Sequence, residues 1–467
     1  MKVYDILKIT KEGETMKITV NYKNVIRELP RVEAYQNSTL RYTPPKEFPA
    51  YCAFQIGKAK IIRTWITLDE VWDYRTDTYN WDYQIGVNNY IGDKNHYNYD
   101  WGASRPTGPS FMDYLTSYAK EAEEVLFNIR RCEREVADGI ISIEKYEEVV
   151  EKVIEHYKAI CPNMKYIECC NEIELREFGG LTIEQYYVLY KATYRAVNRL
   201  NARNNYNIPL TVGGFAMSGC IDRINNYWLN FLRLLASDND PNKLIGFYSM
   251  HDYNPNPMRL LDFVNRHEEL CRNLGLPDAP LFINEYGNCN CTGIPTDSLK
   301  NASGNIVGMN LSSHFRNAFV FPWCTFHNPG YQLSYTEFVD LGNGKFAPTP
   351  NGNAIIALHK LLKNEVEIYE NTDYKAVATS ENGKVAILIS NPTEESINWE
   401  VEIPDWNGYN AKVTHFLCDS VHNNRVTGEE TDGFYPTFDG YLQTRSNKTL
   451  IYNITLEPHA FILSEIE

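Results

Sequence analysis

The sequence predicts an α/β protein, a (β/α)8 (TIM) barrel with an accessory antiparallel β-sandwich. Three observations carry that reading. Over most of the chain, short apolar runs alternate with longer stretches of helical periodicity, the order that builds a parallel sheet with helices outside it. After about Lys363 the pattern changes to short alternating strands separated by Gly, Asn and Pro turns. No early strand is followed by the G-x-G-x-x-G turn of a doubly wound nucleotide-binding sheet.

In chain order, Lys17–Val20 reads as a strand that joins the sandwich. Barrel strands are expected at Arg31–Tyr35, Lys60–Trp65, Glu124–Ile129, Met164–Ile167, Pro209–Val212, Leu244–Met250, Pro280–Ile283 and Ala318–Trp323. The first of these has the least strand character and brings the count to eight. Helical spacing of apolar residues marks Ile143–Ile160, Ile183–Ala202, Ile224–Ala236, Pro257–Leu274 and Asn351–Leu362. Thr182 and Gln185 stand at capping-box spacing and fix the start of the second helix. Between Glu285 and Phe319 a helix is required by the barrel but poorly marked, because the segment is rich in Asn, Gly and Ser. Sandwich strands follow at Ala376–Thr379, Lys384–Ser390, Trp399–Ile403, Lys412–Phe416 and Thr449–Thr455. The expected division is residues 1–20 with the sandwich, 21–364 as the barrel and 365–467 as the sandwich proper.

The chain has 467 residues, with 45 basic and 60 acidic side chains and a net charge of −15. That balance excludes a nucleic-acid binder, which neutralises phosphates with clustered Lys and Arg. No run approaches the ~20 apolar residues of a membrane span. Met1–Thr10 lacks an apolar h-region, so no secretory signal and a cytoplasmic location are expected. Eleven cysteines, an odd number without framework spacing, read as reduced thiols. The lone Cys289-Asn290-Cys291 is a weak metal signal, and no metal site is expected. Aromatic residues make up 13% of the chain, and Thr67–Gly108 concentrates Trp72, Tyr74, Tyr79, Trp81, Tyr83, Tyr90, Tyr97, Tyr99 and Trp101. So long a loop reads as a wall over a cleft, its aromatic rings divided between stacking on a bound ligand and the loop's own small core.

Barrel enzymes place their chemistry at the C-terminal ends of the strands. Two carboxylates stand there, Glu172 after Met164–Ile167 and Glu285 after Pro280–Ile283, each preceded by an Asn (Asn171 and Asn284). Two carboxyl groups facing one site suit glycosidic bond cleavage. One is protonated to donate to the leaving oxygen, and the other is ionised to attack the anomeric carbon or activate water.

These residues carry a resemblance. Ile167-Glu168-Cys169-Cys170-Asn171-Glu172 resembles the Trp-Asn-Glu-Pro motif after strand four of clan A glycoside hydrolases, and Phe282-Ile283-Asn284-Glu285-Tyr286 resembles their strand-seven motif. Within the clan the similarity is to glycoside hydrolase family 39, the β-xylosidase and α-iduronidase family. Ile62-Arg63, Tyr79-Asn80-Trp81-Asp82-Tyr83, Gln185–Tyr190, Val212-Gly213-Gly214 and Ser249-Met250-His251-Asp252-Tyr253 follow its motifs in order across roughly residues 15–365. Two departures stand out. The Trp and Pro around Asn171-Glu172 are replaced by Cys170 and Ile173, and the family's Arg-x-His-Gly reads Arg63-Thr64-Trp65-Ile66.

The resemblance implies a retaining, exo-acting glycosidase with Glu172 as acid/base and Glu285 as nucleophile, working without metal or organic cofactor. The implied substrate is a β-xyloside or related neutral glycoside. An α-L-arabinoside, β-galactoside or β-glucoside on the same machinery, or a non-catalytic carbohydrate-binding barrel, are the alternatives. It further implies that Arg63 helps hold Glu285 ionised or forms a structural ion pair, and that Asn171 donates to the sugar 2-hydroxyl. Tyr253 would hydrogen-bond the nucleophile, and His251 would contact sugar or Tyr253 or sit in the core. Trp65 would offer a stacking face, Trp323 would floor the glycone subsite or fill the core, and His327 would line a subsite. Family 39 xylosidases often assemble as tetramers, so a homo-oligomer is one implied arrangement.

Overall fold

The computed structural model describes residues 15–37, 47–83, 110–219, 224–254, 256–288, 296–326, 333–370 and 372–467. Eight parallel strands run in sequence order around the barrel: Tyr35–Asn37, Ile61–Thr67, Glu124–Arg130, Met164–Cys169, Thr211–Met217, Phe247–Tyr253, Leu281–Gly287 and Ala318–Pro322. A bridge between Asn37 and Trp323 closes the ring from strand eight to strand one. Expected strand one is shifted: Val32–Ala34 forms a 3-10 turn, and the strand itself starts at Tyr35. Its few residues carry little periodicity to read.

The lower end of the barrel is filled by Tyr35, Ile61, Leu126, Tyr166, Phe247, Phe282 and Phe321, an apolar plug contributed by seven of the eight strands. Gly213 on strand five makes room for it, since a Cβ there would lie 2.5 Å from the Phe247 ring. Two residues further up six of these strands the side chains become polar (Asn37, Arg63, Asn128, Glu168, Ser249 and Asn284), and that change of layer creates the site described below.

Helix Ile143–Ile160 starts where Ser142 accepts from the Lys145 N–H, and helix Ile183–Asn204 starts with both halves of the Thr182–Gln185 capping box. The poorly marked helix is Asp297–Ser312, and every residue from Asn301 to Ser312 is buried. A helix buried on all sides has no polar face to give it a period. Its polar residues are paired instead: Asn301 donates to Asn351 Oδ1 at 2.7 Å, and Asn310 donates to the carbonyl of Tyr374. At Gly308 a Cβ would fall 2.0 Å from the Tyr286 hydroxyl, so the close approach of helix to strand seven demands glycine.

That helix also receives the second domain. A mixed sheet of nine strands forms the sandwich, and strand Lys384–Ser390 is buried on both faces. Val385, Ile387 and Ile389 join the sandwich core, while Ala386 and Leu388 join the core shared with the barrel helices. The N-terminal strand Thr15–Glu28 spans both leaves, pairing in parallel with Ile397–Ile403 through residues 15–19 and antiparallel with Asn364–Ile368 through residues 20–28. Among the described residues no helix is long and apolar enough to cross a membrane.

Of the aromatic segment Thr67–Gly108, residues 67–83 are described. They pack on helix Ile143–Ile160: Tyr79 stacks on Trp81 with centroids 4.7 Å apart, and Trp81 stacks on His156 at 4.1 Å. Tyr90, Tyr97, Tyr99 and Trp101 lie outside the described residues.

Candidate active site

Above the aromatic plug, strands two, three, four and seven turn Arg63, Asn128, Glu168 and Asn284 into the barrel. Arg63 is fully buried and uses its whole guanidinium. Nε donates to Glu168 Oε2, Nη1 to Glu285 Oε1 and Nη2 to Asn171 Oδ1, each at 2.8 Å. Glu168 is fixed further by Asn128 at 2.8 Å and Asn284 at 2.5 Å. A charge taken this far from water is tolerable only when paired and hydrogen-bonded. Arg63→Met is therefore expected to leave two buried carboxylates uncompensated and to destabilise the protein by about 3–5 kcal/mol, read from a chemical denaturation midpoint.

The two glutamates reach the site through backbone irregularities. Asn284 and Glu285 are adjacent, and strict alternation would send them to opposite faces. Strand seven, however, slips register by one residue, between Ile283 and Glu285 against strand six and between Ile283 and Tyr286 against strand eight. This bulge lets Asn284 and Glu285 both point inward, while Tyr286 turns out to Gly308. At the end of strand four, Cys170 (φ +61°) and Glu172 (φ +45°) occupy the left-handed region. The strained turn is held by the Glu172 N–H, which donates to the Ala216 carbonyl at 3.0 Å.

His251 sits between the glutamates. Its Nδ1 lies 2.7 Å from Glu172 Oε1 and 3.4 Å from Glu285 Oε2. Its Nε2 faces Arg63 Nη2 at 3.5 Å, and Arg63 can only donate. Whether the ring is neutral or charged, Nδ1 therefore carries the proton and donates to Glu172. Tyr253 donates to Glu285 Oε2 at 2.8 Å.

The electrostatics separate the two carboxyls. Burial pushes Glu172 above the ordinary carboxylate range, and Glu285 across the site adds to this against the pull of His251 and Arg63. Burial would raise Glu285 as well, but His251, Arg63 and Tyr253 outweigh it and hold that carboxyl below its ordinary value. Burial opposes charge on His251, yet the two carboxylates raise its pKa. Glu172, His251 and Glu285 each offer one atom within 4.8 Å of the others, a spacing that a metal ion could bridge. Those atoms already serve the hydrogen bonds above, beside the fixed charge of Arg63, so a cation would compete with Arg63 for the same carboxylate.

The structure thus brings Glu172, Glu285, Arg63, Asn171, His251 and Tyr253 into one network. The contact made by His251 is with Glu172. Trp65 is 1% exposed, and its ring lies against the Arg63 guanidinium at 4.9 Å and the Arg130 guanidinium at 5.7 Å, so it offers packing rather than an open face. Trp323 is half-buried and meets Trp65 edge-on at 5.6 Å. His327 lies outside the described residues. Glu168, Asn128 and Arg130 were not anticipated. Their signal is the two-residue period itself: Leu126, Asn128 and Arg130 share the inward face of strand three, as Tyr166 and Glu168 share that of strand four.

No family model matches the chain, and no curated protein matches it in sequence. Solved structures do match its fold. The GH39 enzyme from Xanthomonas axonopodis pv. citri superposes with a TM-score of 0.68 at 13% identity, covering 98% of both chains. A monomeric beta-xylosidase from Caulobacter crescentus CB15 gives 0.68 at 14% identity, over 97% of this chain and 99% of that one. The GH51 arabinofuranosidase from X. axonopodis pv. citri gives 0.56 at 11% identity, over 97% of this chain and 100% of that one. The barrel-plus-sandwich architecture is therefore the fold of these clan A glycoside hydrolases.

Proposed function

We propose that the protein is a retaining glycoside hydrolase acting by double displacement. The observation that carries the proposal is the pairing of Glu172 and Glu285, with one oxygen of each within 4.8 Å and their protonation pushed in opposite directions. Retaining enzymes hold their carboxyl groups ~5–5.5 Å apart and inverting ones ~6.5–9.5 Å, and nearest oxygens this close favour the shorter spacing. In the first step Glu285 attacks the anomeric carbon as Glu172 protonates the departing oxygen, and a glycosyl ester forms on Glu285. In the second, Glu172 takes a proton from water, whose oxygen displaces Glu285 and frees the sugar. Tyr253 and Arg63 hold the attacking carboxylate, and the His251 Nδ1–H orients Glu172 through one oxygen, leaving the other for the proton. Asn171 accepts from Arg63 through Oδ1, and that fixes its amide with Nδ2 available to the sugar 2-hydroxyl.

The fold-level likeness to glycosidases supports this reading and leaves the glycone open. β-Xylosides, named for the Caulobacter structure, are the first to assay, with exo action. On a panel of aryl glycosides wild type is expected to cleave at least one sugar, releasing a product of retained configuration. A protein inert on every sugar returns the molecule to the non-catalytic sugar-binding reading. The pH profile follows from the two shifts. Activity needs Glu285 ionised and Glu172 protonated. It therefore rises through the depressed pKa of Glu285, below the usual carboxylate range, and falls through the raised pKa of Glu172, above it. A bell in kcat/KM is expected, and Glu172→Gln is expected to remove its alkaline limb.

A further inference from the structure

Arg130 ends strand three at the mouth of the barrel, two residues above Asn128 on the same inward face. It is 7% exposed, and among the described residues no side chain or backbone group accepts a hydrogen bond from it; Nε is completely enclosed and unpartnered. Its guanidinium lies 5.7 Å from the Trp65 ring and 6.0 Å from the Phe178 ring, so it is held by aromatic faces and not by an acid. The contrast with Arg63, whose three nitrogens each have an acceptor at 2.8 Å, is direct. Trp65 adds a second donor: its Nε1–H is also enclosed and unpartnered. Two neighbouring strands thus present donor-only groups beside the catalytic layer, and neither group can accept. Charged groups near Arg130 are Arg131, Glu70, Glu133 and Glu285, none of them in ion-pair contact with it. Glu133 accepts from the Arg131 N–H at 2.7 Å through Oε1 only, and burial pushes its carboxyl up to about 7, so it is a weak counter-charge; Glu285 is engaged by Arg63 and Tyr253. Burial, with Arg131 close by, pushes the Arg130 pKa down to about 9, which still leaves it charged at neutral pH.

A buried cation without a counter-charge is destabilising until an anion joins it. We propose that Arg130, with the indole N–H of Trp65, is a specificity-determining site for an oxyanion on the substrate, so that the preferred glycoside carries a carboxylate or a sulfate ester. This inference rests on the glycosidase reading and moves the substrate class from neutral to acidic sugars. A guanidinium suits either oxyanion because its planar fork meets two oxygens at once. In a chain of net charge −15, long-range attraction does not supply that selectivity, so a local cation has to.

Calorimetric titration of wild type, Arg130→Met and Arg130→Lys with D-glucuronate, D-glucose 6-sulfate and D-glucose tests the proposal independently of turnover. Wild type is expected to bind at least one of the two anions more tightly than glucose, and the anion that does so names the group. Arg130→Met, which keeps an apolar chain against Trp65 and Phe178, is expected to reduce that preference about 30- to 100-fold, and Arg130→Lys to retain part of it. On matched 4-nitrophenyl β-D-glucuronide and β-D-glucoside, the ratio of kcat/KM values is expected to move the same way. Equal binding of all three sugars by wild type, or an unchanged preference in Arg130→Met, overturns the proposal. An anion preference that follows Arg130 in a protein inert on every glycoside upholds the site and overturns the catalytic reading instead.

Discussion

Replacing Glu285 by Ala is expected to lower kcat on aryl glycosides by on the order of 10⁴-fold or more, the scale on which covalent catalysis collapses when its nucleophile is removed. Its carboxylate is held by Arg63, Tyr253 and His251, and truncation leaves space below the anomeric carbon. Azide entering that space can attack the anomeric carbon from the face that Glu285 used. A single displacement then expels the aglycone, with Glu172 still supplying the proton, and the product is a glycosyl azide of inverted configuration. Recovery of activity with azide and an inverted product assigns the nucleophile. Failure of added anions to recover any activity would point to Glu285 as a charge partner of Arg63 only.

Glu172→Ala is expected to behave differently, because it removes a proton donor and leaves the nucleophile. The loss should scale with how much the leaving group needs that proton. For alkyl or unactivated glycosides it is expected to reach ~10²–10⁴-fold, the usual worth of a positioned general acid. For a dinitrophenyl glycoside, whose phenolate leaves unaided, formation of the glycosyl ester should be nearly normal. Its breakdown should be slow, since no base activates water, and a burst of phenolate should precede a low steady state. Azide, which needs no base, should raise that steady state and give a glycosyl azide of retained configuration. The two variants thus give opposite anomers from one reagent. Equal losses for all leaving groups in Glu172→Ala would contradict the acid/base role.

The parts of this site legible in the sequence and the parts that were not differ for physical reasons. Glu172 and Glu285 are visible as carboxylates ending apolar runs, because barrel strands are buried on both faces and stop where the chain turns polar. Nothing in the sequence announces the bulge that turns Glu285 inward beside Asn284, or the left-handed backbone at Cys170 and Glu172. Both are set by neighbouring strands and not by local propensity. The same holds for helix Asp297–Ser312, whose Asn and Ser residues look like a loop until their partners on Pro350–His359 and the sandwich are known. In the sandwich, Phe438–Gln443 escaped notice because this edge strand is largely exposed on both faces and has no alternation to read. Arg63 was legible as a buried partner of Glu285, whereas Glu168 and Arg130 needed the inward face of each strand to be followed two residues at a time.

The claim that Glu285 becomes covalently glycosylated is open to direct trapping. A 2-deoxy-2-fluoro glycoside with a dinitrophenyl leaving group, built on the glycone that the panel identifies, slows both displacements. Its good leaving group still allows the first, so the glycosyl ester accumulates. Incubation, proteolysis and mass spectrometry should find one fluorosugar per chain, on the peptide containing Phe282-Ile283-Asn284-Glu285-Tyr286, with the label absent from Glu285→Ala. A label on any other residue, or full inactivation without a covalent adduct, contradicts the double-displacement mechanism with Glu285 as its nucleophile.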